Sequence, residues 1–316
     1  MIVGYERQRA DLLRAIRSGR IPNAYLFSGP RGVGKHLIAQ WFAAAVLCQQ
    51  SNRPCGECTS CHKVEKEQHP DIFSLSPSGD SIKIGDIRSL TARLQFHPLE
   101  GVAKIVVIDD ADTMTEGASN ALLKTLEEPP PVTHFLLVTP HPLALPATIR
   151  SRCQMMVFPP LSEKIITNFL ATNRGMTPTQ AARAARLALG SLGKACSIDV
   201  TMVDQILTQF LSILSKHQDA NLLTLAEEWA GLEDHAPLVL DTLTGLIRDA
   251  WVTCDVGPRV SVIHQGLPLP PLSHHHLDHA MTALVSARAR LETSANKQLL
   301  FEELLFTLSE VTLSSR

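Results

Sequence analysis

The sequence predicts an α/β domain built on a doubly wound parallel sheet, followed by a small helical domain and a larger all-α domain. Three observations carry this reading. From Tyr25 to Pro160 short apolar, β-rich runs alternate with helical patterns, and near-continuous apolar runs are how buried parallel strands look. A glycine-rich loop joins the first such run to the first helical pattern after it, as in phosphate-binding α/β units. After Pro159 and Pro160 the strand signals end, and Leu/Ala-rich amphipathic segments take over.

The expected strands are Tyr25 to Ser28, Asp71 to Leu75, Ala103 to Ile108, His134 to Thr139 and Met155 to Phe158. Helices are expected at Lys35 to Cys48, Gly85 to Phe96 and Glu116 to Glu128, the last stopped by Pro129, Pro130 and Pro131, which lack the N–H a helix needs. Ser162 is an N-cap candidate for the helical part. These signals divide the chain into an α/β domain over 1–160, a small helical domain over 161–200 and a second helical domain over 201–316. The last contains segments Met202 to His217, Asn221 to Leu232, Pro237 to Val252, His276 to Leu291 and Asn296 to Leu313, with a Pro-rich linker around Pro258 to Pro271.

At 316 residues with 45% hydrophobic side chains the chain can bury a sizeable core and exceeds the usual size of one domain. Lys+Arg 29 against Asp+Glu 31 leaves a net charge of -2, without the basic excess that drives sequence-independent binding to phosphate backbones. The charged opening and the lack of a long apolar run point to a cytoplasmic protein. In that reducing setting, four of seven cysteines between Cys48 and Cys61 suggest a metal rather than disulfides.

Gly29-Pro30-Arg31-Gly32-Val33-Gly34-Lys35-His36 follows a strand and opens a helix. Gly29, Gly32 and Gly34 would let backbone N–H groups approach phosphates, and Lys35 would neutralise them. His36 stands where a Ser or Thr hydroxyl would ligate Mg²⁺, a hard ion that an imidazole serves poorly, so Mg²⁺ is expected to be badly held. Two readings of the loop stand: it binds ATP, or it is retained only to shape the fold. Asp109, at the end of the run Ile105 to Ile108, suits an Mg²⁺ shell, whereas Asp110 reaches about 1.5 Å less far than a water-polarising Glu would. Both departures argue against productive hydrolysis.

Cys48, Cys55, Cys58 and Cys61 offer four thiolates within fourteen positions, a set suited to a closed structural Zn²⁺ site. His62 or His69 could replace Cys48 as fourth ligand. His274, His275 and His276 with His279 are either a second metal cluster or a polar helix start. Leu300, Leu304 and Leu305 lie at helical spacing and suit either an intramolecular core or an intersubunit face.

The segment Asn120 to Pro130 (Asn-Ala-Leu-Leu-Lys-Thr-Leu-Glu-Glu-Pro-Pro) and Ser151-Arg152-Cys153 resemble the clamp-loader group of AAA+ ATPases. The opening Gly4-Tyr5-Glu6 and the helical C-terminal half fit its plan of AAA+ core, lid and collar, so the resemblance covers nearly the whole chain. It implies a five-subunit ring that opens a sliding clamp and sets it on primed DNA during replication, as part of a DNA-directed DNA polymerase complex. The implied partners are ATPase motor subunits, a clamp-opening subunit and, through the complex, the clamp and primed DNA. Arg152 matches the group's arginine finger, which acts in trans on a neighbour's ATP. The four cysteines match a zinc knuckle inserted after the first helix of that core. Motor subunits of the group carry Gly-Ser-Leu-Arg in the lid, whereas here Gly190-Ser191-Leu192 is followed by Gly193. Two other functions compete: an autonomous AAA+ ATPase with an unusual Mg²⁺ site at His36, and a zinc-containing DNA-binding protein. The net charge and closed ligand set disfavour the second.

Overall fold

Residues 2–216, 219–232, 235–256, 263–264, 273–291 and 296–313 are described by the computed structural model. They form two units, Met1–Cys196 and Ser197–Arg316. The expected linker lies outside the described residues except for Ile263 and His264, as does His217 of the first expected helix of the second unit.

In the first unit the elements run α1 (Glu6–Arg17), β1 (Ala24–Ser28), α2 (Lys35–Leu47), α3 (Thr59–Glu65), β2 (Ile72–Leu75), α4 (Ile84–Leu94), β3 (Lys104–Ile108), α5 (Glu116–Glu127), β4 (Thr133–Thr139), α6 (Ala147–Arg150), β5 (Gln154–Val157), α7 (Glu163–Arg174), α8 (Pro178–Leu187) and α9 (Leu192–Ser197). The sheet is parallel throughout, in the order β2-β3-β4-β1-β5. This is the doubly wound AAA+-like α/β core followed by helices that the sequence predicts.

All five residues of β1 and of β3 are buried, as their apolar runs require, and Leu26, Val106, Ile108, Phe135 and Leu137 meet Ile87, Leu122 and Ile149 in one core. Lys104 opens β3 and is nonetheless buried. Its ammonium donates to the carbonyls of Leu94 and Phe96, which compensates the desolvated charge. β5 corrects an expectation. It is an edge strand rather than a buried one, with Met155 48% and Val157 56% exposed, because β1 already has β4 on its other side and, among the described residues, nothing pairs beyond β5. Its end turns inward at Phe158, which packs on Tyr5 and Phe27 at 5.2 and 5.0 Å between ring centroids.

Helix starts follow side-chain chemistry. Thr115, Ser162 and Thr177 each accept a backbone N–H at the start of α5, α7 and α8, and Pro178 occupies the first position of α8. The charge-rich opening does not announce α1, whose one fully buried side chain is Leu12.

The second unit contains α10 (Val200–Lys216), α11 (Asp219–Ala230), α12 (Ala236–Val256), α13 (His274–Leu291) and α14 (Lys297–Leu313). Its core includes Trp229 edge-on to Phe301 at 5.9 Å, and Leu300, Leu304 and Leu305, which are all buried within the chain itself. His274, His275 and His276 form the first turn of α13, where Ser273 Oγ accepts the His276 N–H. They are therefore a polar helix start, and the described residues hold no metal-ligand cluster there. Among the described residues no helix is long and apolar enough to cross a membrane.

Candidate functional site

The C-terminal ends of β1, β3 and β4 lie side by side, so the glycine-rich loop after β1 and the carboxylates after β3 meet along one rim of the sheet. Gly34, at φ 101°, turns the chain into α2 and aims Lys35 back over the loop. The Lys35 ammonium donates to Gly29 O at 2.6 Å and Pro30 O at 2.8 Å. Burial pulls its pKa below the ordinary lysine value, against the opposing pull of Asp109, Asp110 and Asp112.

His36 Nδ1 lies 3.0 Å from Asp109 Oδ2, off the line of an ideal hydrogen bond. The carboxylate raises the imidazole pKa above 6.5 although burial opposes this. Asp109 is raised by its own burial, but contact with His36 outweighs this and holds it below 3.8. His36 and Asp109 thus form a close charge pair between the start of α2 and the end of β3. Asp110 adopts a left-handed conformation at φ 44° and lies 3.5 Å from Arg31. One further rim residue was not read from the sequence: Thr139, fully buried at the end of β4, donates from Oγ1 to Asp112 Oδ1 at 2.6 Å. A polar residue ending an otherwise apolar strand is the signal that marks it.

The start of α9 packs on the loop. The Gly193 N–H donates to Gly32 O at 2.8 Å, and a Cβ on Gly193 would stand 3.2 Å from Gly32 Cα. Gly32 has φ +72°, and a Cβ there would lie 2.4 Å from Ser191 Oγ. At Gly193, therefore, backbone touches backbone.

The four cysteines converge. Cys48 caps the end of α2, Cys58 caps the start of α3 and Cys61 lies within α3. Their sulfurs all lie within 4.8 Å of one another, with Cys48–Cys58 and Cys55–Cys61 each at 3.9 Å. A tetrahedron with metal–sulfur bonds of about 2.3 Å has sulfur–sulfur edges of about 3.8 Å, so the set could hold a metal ion such as zinc. The N–H of Cys58 points at Cys55 Sγ, and that of Cys61 at Cys58 Sγ, orienting two ligands. The Cys61 N–H lowers the Cys58 thiol to about 6, while burial pushes Cys61 up to about 12. Neither histidine joins the set: His62 Nδ1 lies 3.9 Å from Glu65, and buried His69 accepts the Asp71 N–H.

Arg152 makes its contacts elsewhere, in the turn between α6 and β5. NH1 donates to Thr148 O at 2.9 Å, and NH2 donates to Glu127 Oε1 at 2.6 Å. Its side chain is 36% exposed. Glu127 belongs to the Asn120 to Pro130 motif, but its pairing was not read from the sequence. A carboxylate at a helix C-terminus, against the dipole, is the signal that would have found it.

Comparison with known proteins agrees with this architecture. A family model described as "DNA polymerase III, delta subunit" matches residues 5–162, half of the chain. The DNA polymerase III subunit delta' of Bacillus subtilis (strain 168) is 29% identical over 316 residues, covering 95% of this chain and 94% of the relative. The delta' subunit of Escherichia coli (strain K12) is 29% identical over 310 residues, covering 94% and 92%. In fold, a gamma subunit-related protein from Thermotoga maritima superposes with a TM-score of 0.52 at 21% identity, covering 96% of this chain and 99% of that one. With the parallel sheet, the glycine-rich loop and the helical C-terminal region already in place, the chain belongs to the DNA polymerase III delta/delta' clamp-loader family.

Proposed function

We propose that this chain is a delta'-like clamp-loader subunit that does not hydrolyse ATP itself and instead supplies Arg152 to the ATP site of a neighbouring motor subunit. The observation that carries this reading is the self-closed phosphate loop. Lys35 is spent on Gly29 and Pro30, His36 on Asp109, and Gly193 on Gly32, so the groups that would meet a nucleotide meet the protein. Family membership and near-full-length similarity to delta' subunits support association with other polymerase III subunits and, through them, with the sliding clamp and primed DNA.

The chemistry is consistent. Phosphoryl transfer spreads negative charge over the moving γ-phosphoryl, and an arginine supplied in trans stabilises it by about 10³- to 10⁵-fold in rate. Such an arginine has to be partly exposed and fixed in direction, as Arg152 is. It also ties hydrolysis to assembly of the ring. The core, lid and collar divisions at 1–160, 161–200 and 201–316 belong to the same reading. In it Zn²⁺ sits in the four-thiolate set and has no open coordination place, so its part is to hold the knuckle.

The test is ATP turnover by partner motor subunits with clamp and primed DNA, alone, with this chain, and with Arg152→Ala. Stimulation by the native chain and its loss in the variant are expected, with no turnover by the isolated chain. Turnover by the isolated chain would make it a motor, and equal stimulation by both forms would reduce Arg152 to scaffold.

A further inference from the structure

We infer that Glu127 is the positioning residue of the Arg152 finger, an inference that rests on the in-trans reading of Arg152. Glu127 is the last residue of α5, and Glu128 caps the helix. Two carboxylates there face the negative end of the helix dipole, an arrangement the helix itself disfavours. What Glu127 gains is outside the helix: its Oε1 accepts a charge-assisted hydrogen bond of 2.6 Å from Arg152 NH2, across 25 residues of sequence.

The anchor is rigid at its base. Thr125 and Leu126, immediately before Glu127, are buried, and Pro129, Pro130 and Pro131 follow after Glu128, each with a fixed φ. The guanidinium is held from two sides, by Glu127 on NH2 and by the Thr148 carbonyl on NH1, with Ser151 Oγ 3.5 Å from NH1. A guanidinium has five N–H donors, so those not spent on Glu127 and Thr148 remain for a phosphate in a plane that the two anchors set. The pair is 36% and 44% exposed, and exposed pairs contribute little to stability, so folding does not account for it. Arginine otherwise loses much rotamer freedom when it docks. Fixing it beforehand removes that cost from the moment of phosphoryl transfer.

The test uses the reconstituted loader with its motor subunits, clamp and primed DNA, measuring kcat and KM for ATP. Gel filtration checks that each variant chain still assembles. Glu127→Ala is expected to lower kcat about tenfold with KM for ATP unchanged, since misplacement of a reacting group acts on the transition state. Glu127→Gln, which keeps the acceptor oxygen, should recover part of the loss. The double variant Glu127→Ala/Arg152→Ala should be no slower than Arg152→Ala alone. The inference is overturned if Glu127→Ala leaves kcat unchanged while Arg152→Ala depresses it, or if Glu127→Ala slows the Arg152→Ala background by the same factor as the native one. An Arg152→Ala chain that stimulates normally would sink the finger reading itself, and this inference with it.

Discussion

Gly193 and Gly32, separated by 161 positions, are joined by a 2.8 Å hydrogen bond from the backbone of α9 to the glycine-rich loop. Two glycines make this approach possible: a Cβ on either would stand within 3.2 Å of an atom of the other segment. The start of α9 therefore rests on the loop itself. Substituting Gly32→Ala places a methyl against Ser191 Oγ at a positive φ, and should destabilise the first unit by about 1–3 kcal/mol. Urea unfolding at unchanged m checks this. Ser191→Gly in the same chain should return part of the loss, and a shift under 0.5 kcal/mol without it, taken as about the surface-substitution level, would show that the contact does not constrain the loop.

The His36–Asp109 pair should leave a pH signature with two flanks. His36 has a folded pKa above 6.5, so its contribution is complete below that value and is lost as pH rises through the folded pKa. Asp109 has a folded pKa below 3.8, so its contribution is present above that value and is lost as pH falls through the folded pKa. The pair is strongest between these limits. Both side chains are more than a third exposed, so the effect is small, about 0.2–1 kcal/mol. NMR titration should place the His36 pKa above 6.5 in the native chain and lower it in Asp109→Asn. An unchanged His36 titration would mean the contact is not an ion pair in solution.

Metal content of the knuckle is directly measurable. One zinc per chain is expected by elemental analysis, and Cys55→Ser should lose most of it. If the metal contributes about 2 kcal/mol, chelation should lower Tm by roughly 4–8 °C for a unit of this size. A native chain free of bound metal, with Tm insensitive to chelator, would leave the sulfur cluster a reduced knuckle.

Asp71 should matter more than its position in a connecting segment suggests. It is buried, and its carboxylate accepts the N–H groups of Leu99, Glu100 and Gly101 at 2.5, 2.9 and 2.6 Å. Burial raises its pKa, but these three donors outweigh that and lower it below 3.8. Its contribution is thus present above 3.8 and disappears as pH falls through the folded value. Asp71→Ala strands three donors and should cost about 2–4 kcal/mol, read as a lower urea midpoint at pH 7. A loss below about 0.5 kcal/mol would mean that water replaces the carboxylate.

Local chemistry alone determined much of this protein. The apolar runs of β1, β3 and β4, the helix stop at Pro129, the phosphate loop with its His36 departure and the cysteine spacing are all short-range features, and each is legible because its cause lies within a few residues. The resemblance carried by Asn120 to Pro130 and by Ser151 to Cys153 was legible for the same reason. Tertiary structure decided what depends on distant partners. Met155 and Val157 read as a buried strand, but β5 became an edge because burial is set by which strands lie on either side. Glu127 reads as a helix end, and only the fold brings Arg152 to it. Gly193 reads only as a departure from the resembled motif, and only the fold shows it seated on Gly32. In each case the deciding interaction joins segments far apart in the chain, and periodicity or spacing along one segment carries no information about what will be packed against it.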